Sequence, residues 1–250
     1  MEALLTIRLL GQFQIEYQER TINQFRTRKT AGLLSYLAYY LGHAQPREKL
    51  IDLLWPDVDL TAGRNSLRVA LNSLRHQMHV LNGSSNSVLL VNRSAIQLNS
   101  NICTTDVTAF GIVINKAHQT QDLEQRIANL TTATQIYRGE LLPEFYDDWV
   151  VRERQRLSDA YLEVLCCLTH LLIEQQDFRC ALEYAHQAIE IDSLHEQAHC
   201  NLIRVYAAMG RPSAALRQYQ ELKLLFQREL NCRPSITTQT LVRQIQEQLS

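Results

Sequence analysis

Leu67, Leu71, Leu74 and Met78 recur at steps of four, three and four residues, a spacing that a helix turns into one continuous apolar stripe. Arg64, Arg68, Asn72 and Arg75 follow similar spacing on an exposed stripe, with Asn65 beside them. No Asp or Glu occurs between Thr61 and Met78, so nothing inside this segment repels an anion. Asp59 or Thr61 can cap the start, because a short side-chain oxygen satisfies the first free amides of a helix. A helix of this kind buries one stripe against a small core and offers the other to a partner. Arg pairs bidentately with guanine and Asn with adenine in the major groove, while further Arg contacts phosphate.

The 250 residues suggest one to two domains, and an apolar content of 46% is enough for real cores. No apolar run of membrane-spanning length occurs, and the first ten residues hold Glu2 and Arg8 within a strand-like pattern, which reads as neither signal peptide nor membrane anchor. The six cysteines form no CxxC pair, so a reduced, cytoplasmic protein is expected. Residues 1–100 hold 11 Lys and Arg against 7 Asp and Glu, whereas residues 101–250 hold 14 against 19. The positive excess lies in the half with the Arg/Asn helix, which favours an anionic partner there.

Ile7, Leu9, Phe13 and Ile15 keep one parity and read as a half-buried strand, with a turn over Tyr17 to Arg20 into Thr21 and Ile22. Ala31, Leu34, Leu37, Ala38 and Leu41 mark a helix that stops at Gly42. Pro46 begins a short helix that ends near Trp55 and Pro56, which makes the Arg/Asn helix the third. After Gly83 and a serine-rich turn, Val88–Val91 and Ile96–Leu98 read as a hairpin with Arg93 at its tip. Sheet, three helices and hairpin is the order of a winged helix, in which the third helix enters the major groove.

Beyond Asn99 the pattern is helical. A cap at Asp106 opens a helix over 107–118, a second covers 122–137 before Gly139, and a long one covers 149–175 with Leu157, Tyr161, Leu165, Leu168 and Leu172 on one face. Ala181-Leu182 and Ala215-Leu216 are 34 residues apart, each in a helix that follows a tight turn. That is the period of tetratricopeptide repeats, whose small Ala positions lie where helices cross closely. The expected architecture is therefore an α+β winged helix over residues 1–100 followed by an all-α, tetratricopeptide-like domain over 101–250.

The segments RTRKTAGLLSYLA (26–38), LIDLLWPD (50–57), GRNSLRVALNSLR (63–75), YRGELLPEFYDDWVVRERQRL (137–157) and RELNCRPS (228–235) resemble the SARP-type antibiotic regulatory proteins. Those combine an OmpR-type winged helix with a bacterial transcriptional activator domain. The resemblance implies an activator, not an enzyme and without a cofactor, that binds direct-repeat promoter DNA as paired protomers or a homodimer and engages RNA polymerase. By position it places Arg64, Asn65, Arg68, Asn72 and Arg75 on the recognition helix, Arg93 at the wing tip, and Arg28 with Lys29 near the phosphates. It also places Trp55, Asp57 and Asp59 in a loop facing polymerase. The helix is less basic than in many relatives at Asn72 and Ser73, so the target sequence does not transfer.

Two other readings compete. His195-Glu196-Gln197-Ala198-His199 matches HExxH, the zinc-protease pattern, with Glu221 as the third ligand it would need. The same residues also open the helix that pairs with the second repeat, where related domains carry Glu and His. The cluster Arg152, Glu153, Arg154 and Arg156 reads as internal ion pairing more readily than as a second basic patch, because Asp147, Asp148 and Glu163 surround it. A scaffold whose winged helix docks protein, within a larger signal-responsive regulator, is the remaining whole-chain reading.

Overall fold

The computed structural model describes residues 5–82 and 88–247; Gly83 and the serine-rich turn lie outside the described residues, as do residues 1–4. Two compact units divide the chain, one of residues 1–112 and 136–154, the other of 113–135 and 155–250.

The first unit opens with β1 (Leu5–Arg8), β2 (Gln14–Tyr17) and β3 (Arg20–Ile22). The sequence suggested one strand through Ile7 and Ile15, but the chain turns between them at Gly11, whose φ is +84°. Ile7 and Ile15 then pair across an antiparallel ladder. Next come α1 (Arg28–Tyr39), the two-residue β4 (Gln45–Pro46), α2 (Arg47–Leu54), α3 (Leu60–Asn82), and the hairpin of β5 (Leu89–Val91) and β6 (Ala95–Leu98). A further strand that the sequence did not suggest, β7 (Cys103–Thr105), lies parallel to β1. The sheets run β3-β2-β1-β7 and β4-β6-β5. This is a winged helix with an N-terminal sheet.

Local chemistry accounts for these elements. Thr27 caps α1 by accepting from the Thr30 amide, and α1 is buried from Thr30 to Ala38. Asp59 settles the start of α3, since its Oδ1 accepts from the amides of Thr61 at 2.8 Å and Ala62 at 3.0 Å. Leu67, Leu71, Leu74 and Met78 are each 2% exposed or less. Helices α2 and α3 approach closely at Gly63, where an added Cβ would lie 2.3 Å from Ile51 Cγ2.

Segment 136–154 belongs to the first unit although it lies beyond the boundary at residue 100 suggested by the sequence. It returns to the end of β1, with Leu10 bridging Leu141 and the Leu142 amide donating to the Leu9 carbonyl at 2.9 Å. Trp149 then meets the Tyr36 ring edge-on at 5.1 Å. Asp106, expected as a helix cap, turns its carboxylate instead to the amides of Leu9 and Leu10 as well as Val107. Thr105 takes the capping role, accepting from the Thr108 amide at 3.0 Å.

The chain continues through α4 (Asp106–Gln119), α5 (Leu123–Ile136), α6 (Asp148–Glu174), α7 (Phe178–Ile191), α8 (Glu196–Ala208), α9 (Pro212–Glu229) and α10 (Ile236–Glu247). In the second unit Ala181, Ala185, Ala188, Ala198 and Ala215 are 1% exposed or less. Small side chains there let successive helices approach, as the 34-residue spacing anticipates. Ile203, Ala215, Val242 and Ile245 close a core that α10 completes. No helix among the described residues is long and apolar enough to cross a membrane.

Candidate nucleic-acid interface

Arg64, Asn65, Arg68 and Asn72 stand exposed on α3. Arg64, Asn65 and Arg68 share one groove of about 790 Å³ with Arg93 of the wing and with Arg47 and Glu48 of α2. The wing tip is fixed, because Asn92 Oδ1 accepts from the amides of Ser94 at 2.9 Å and Ala95 at 2.6 Å. The Arg47 amide donates to the Ser94 carbonyl at 2.9 Å, tying α2 to the tip. Four arginines therefore face one concavity, of which the sequence identified three.

Asn72 lies on the other flank of α3, in a groove of about 640 Å³ with Arg26 and His76. Gln77 Nε2 holds that wall by donating to the Gln24 carbonyl at 3.0 Å. Arg26 was missed because the loop before α1 has no periodicity to place it. Val69, 55% exposed, lines this second groove as well.

Not every expected residue joins this surface. Arg75 is half-buried, with its Nε enclosed and unpartnered. Four residues after Leu71, it lies only about 40° around the helix from the buried stripe, so its position is marginal rather than opposite. Arg28 and Lys29 are exposed at the start of α1 but line neither groove. Arg28 Nη2 instead donates to the Glu144 carbonyl at 3.1 Å. The face is also not free of acid, since Glu48 Oε1 lies 3.4 Å from Arg64 Nη2, both side chains being well exposed. A pair so exposed stabilises little and yields readily to phosphate.

In the loop between α2 and α3, Trp55 is half-buried while Asp57 and Asp59 are exposed. Asp59 has the capping duty described above. Val58 and Leu60 are 42% and 43% exposed, so this acidic turn also carries an apolar face.

The HExxH segment is built for packing. His199 is 3% exposed, and its Nε2 lies 2.9 Å from the Ser193 carbonyl, which can only accept, so Nε2 carries the proton. Nδ1 then accepts from Gln218 Nε2 at 3.0 Å. Both ring nitrogens are used. His195 Nδ1 accepts from the Ala198 amide at 3.2 Å as the cap of α8. Glu196 accepts from the Ser235 amide at 2.7 Å and from the Thr238 hydroxyl, anchoring the start of α10.

Burial lowers the His199 pKa below its ordinary value of 6.5. The unfolded chain therefore binds this proton more readily, and the stability contributed by neutral His199 is lost as pH falls below about 6.5. The thermal midpoint of wild type is expected to decline as pH falls below about 6.5, and less steeply in His199→Gln. Parallel profiles would remove this assignment.

No curated protein sequence matches the chain. Among solved structures, the chain is similar to Mycobacterium tuberculosis EmbR in complex with a low-affinity phosphopeptide, with TM-score 0.83 and 21% identity. That match covers 99% of this chain and 66% of the other, so the present chain spans slightly less than two thirds of that relative. Identity this low shows the shared fold. The family model described as the bacterial transcriptional activator domain matches residues 105–246, more than half of the sequence. With that match behind an N-terminal winged helix, the chain belongs to the bacterial transcriptional activator domain family, in the arrangement of a SARP-type transcriptional regulator.

Proposed function

We propose that this regulator activates transcription by binding direct-repeat promoter DNA as paired protomers, with α3 in the major groove and the wing against the backbone. The observation that carries this reading is the groove in which Arg47, Arg64, Arg68 and Arg93 converge beside Asn65. Arg68 and Asn65 are the base readers, since both are exposed near the N-terminal part of α3, the part that reaches base edges in helix-turn-helix proteins. Arg47 and Arg93 bind phosphate, and Arg26 with His76 supports the opposite strand beside Asn72. Arg75 serves the backbone at most, its guanidinium being half enclosed.

The loop of Trp55, Asp57 and Asp59 contacts RNA polymerase, and the exposed Val58 and Leu60 supply the apolar part of that contact. Asp57 is the acidic residue free for it, because Asp59 is occupied as a cap. The helical second unit recruits the second protomer.

Arg68→Ala is expected to cost about 1–3 kcal/mol and to relax base preference at one position. Arg93→Ala should weaken all sequences alike and reduce the salt dependence by about one counterion. Fluorescence anisotropy on a selected promoter fragment and on a scrambled one separates the two effects. A sequence-independent loss from Arg68→Ala would reassign that residue to the backbone.

A further inference from the structure

We infer that the first unit contains a binding site for a small planar aromatic acid, formed between the N-terminal sheet, the start of α1 and the turn at 142–145. A cavity of about 690 Å³ opens there, within the range of small-molecule sites, which is about 300–1,000 Å³. Its apolar wall is aromatic. Phe13 stacks on Phe25 at 4.9 Å between ring centroids, and Phe145 meets Phe13 edge-on at 5.8 Å. Such an arrangement leaves ring faces and edges for a further planar group to join.

Arg28 supplies the charge. One guanidinium nitrogen donates to the Glu144 carbonyl, which holds the planar group at the cavity wall and leaves other N–H donors for a bidentate carboxylate or sulfonate. Asn23 lines the same cavity and offers an amide. The wall is also unusually fixed, because the buried Leu142 occupies φ +45° and its carbonyl accepts from Arg154 at 2.6 Å. Strain of this kind is retained where the surroundings over-determine the backbone. Glu144 lines the cavity too, and its carboxylate opposes an acid, so charge at this position sets the affinity.

The site requires no DNA, so its failure is distinguishable from failure of the promoter-binding reading. The test is titration of the full chain with 8-anilinonaphthalene-1-sulfonate, a fluorescent aromatic acid, followed by displacement with 1-naphthoate and with its neutral isostere 1-naphthamide. Wild type should saturate with one dominant site. Arg28→Gln should weaken that site at least fivefold with an unchanged melting temperature, and Glu144→Gln should tighten it. Naphthoate should displace the probe, whereas naphthamide should not. Absence of saturation, equal binding by Arg28→Gln, or equal displacement by the two competitors would overturn the proposal.

Discussion

Replacing Arg154 by alanine is expected to lower the unfolding free energy by about 3 kcal/mol or more. The Arg154 guanidinium donates from Nε to the Leu141 carbonyl at 2.8 Å, and from Nη2 to the carbonyls of Leu142 at 2.6 Å and Phe145 at 2.8 Å. Hydrogen bonds from a charged donor contribute about 1.5–3 kcal/mol each. Glu140 adds little, its oxygen standing 3.9 Å away and largely exposed. The clasp also holds Leu142 in the left-handed region at φ +45°, a conformation that costs an ordinary side chain about 1–2 kcal/mol. Arg154→Lys should recover only a minor part, because an ammonium is a point charge and cannot match three carbonyls that suit a planar fork. Urea unfolding of the three proteins checks this, and a loss below about 1 kcal/mol for Arg154→Ala would refute the clasp.

Asp106→Ala is expected to have an effect of similar size. Both carboxylate oxygens accept from the Leu9 amide, at 2.8 and 2.9 Å, and Oδ2 also accepts from the Leu10 amide at 2.9 Å. Leu9 and Leu10 are themselves 2% exposed or less. Removing the acceptor leaves two buried amides unpaired at about 1–3 kcal/mol each. Burial pushes the Asp106 pKa up, while the backbone amides and the charge of Arg8 oppose that shift. Asp106→Asn keeps the shape but turns one acceptor into a donor facing an N–H, so its loss should fall between wild type and alanine. Amide hydrogen exchange at Leu9 and Leu10 gives the local readout, and unchanged protection in Asp106→Ala would contradict the role.

These two residues also show what the sequence leaves hidden. Asp106 carries a capping residue's chemistry, and proximity alone points to its own helix. Its partners lie 97 and 96 residues away, a distance that no local pattern registers. Arg154 sits in a mixed-charge cluster whose composition suggests ion pairing, whereas its main partners are backbone carbonyls, which every residue carries. The same blindness applies to β7, a three-residue strand too short for any alternation to emerge.

What was legible rests on periodicity. The α3 stripe, the buried face of α6 and the small residues at the 34-residue interval all reflect side chains that a regular helix sorts by position. Arg75 marks the limit of periodicity, since a residue at the margin of the polar stripe has the spacing of an exposed one yet is half covered. HExxH shows the converse. The spacing was real, but Ser193, Gln218, Ser235 and Thr238 determine that it serves packing. The groove beside the wing was half visible: α3 and Arg93 followed from pattern, whereas Arg47 and Glu48 joined it only once the chain was folded, as Arg26 joined the groove on the other flank.

DNA selection by α3 is tested most directly by the affinity for a fragment selected from the source genome across a range of salt. Wild type should lose affinity steeply as salt rises, in proportion to the phosphates neutralised. Arg64→Ala/Arg68→Ala should bind at least about 30-fold more weakly at fixed salt, the equivalent of about 2 kcal/mol. Equal binding by the two proteins, or an affinity indifferent to salt, would contradict DNA selection by this helix and favour a winged helix that docks protein.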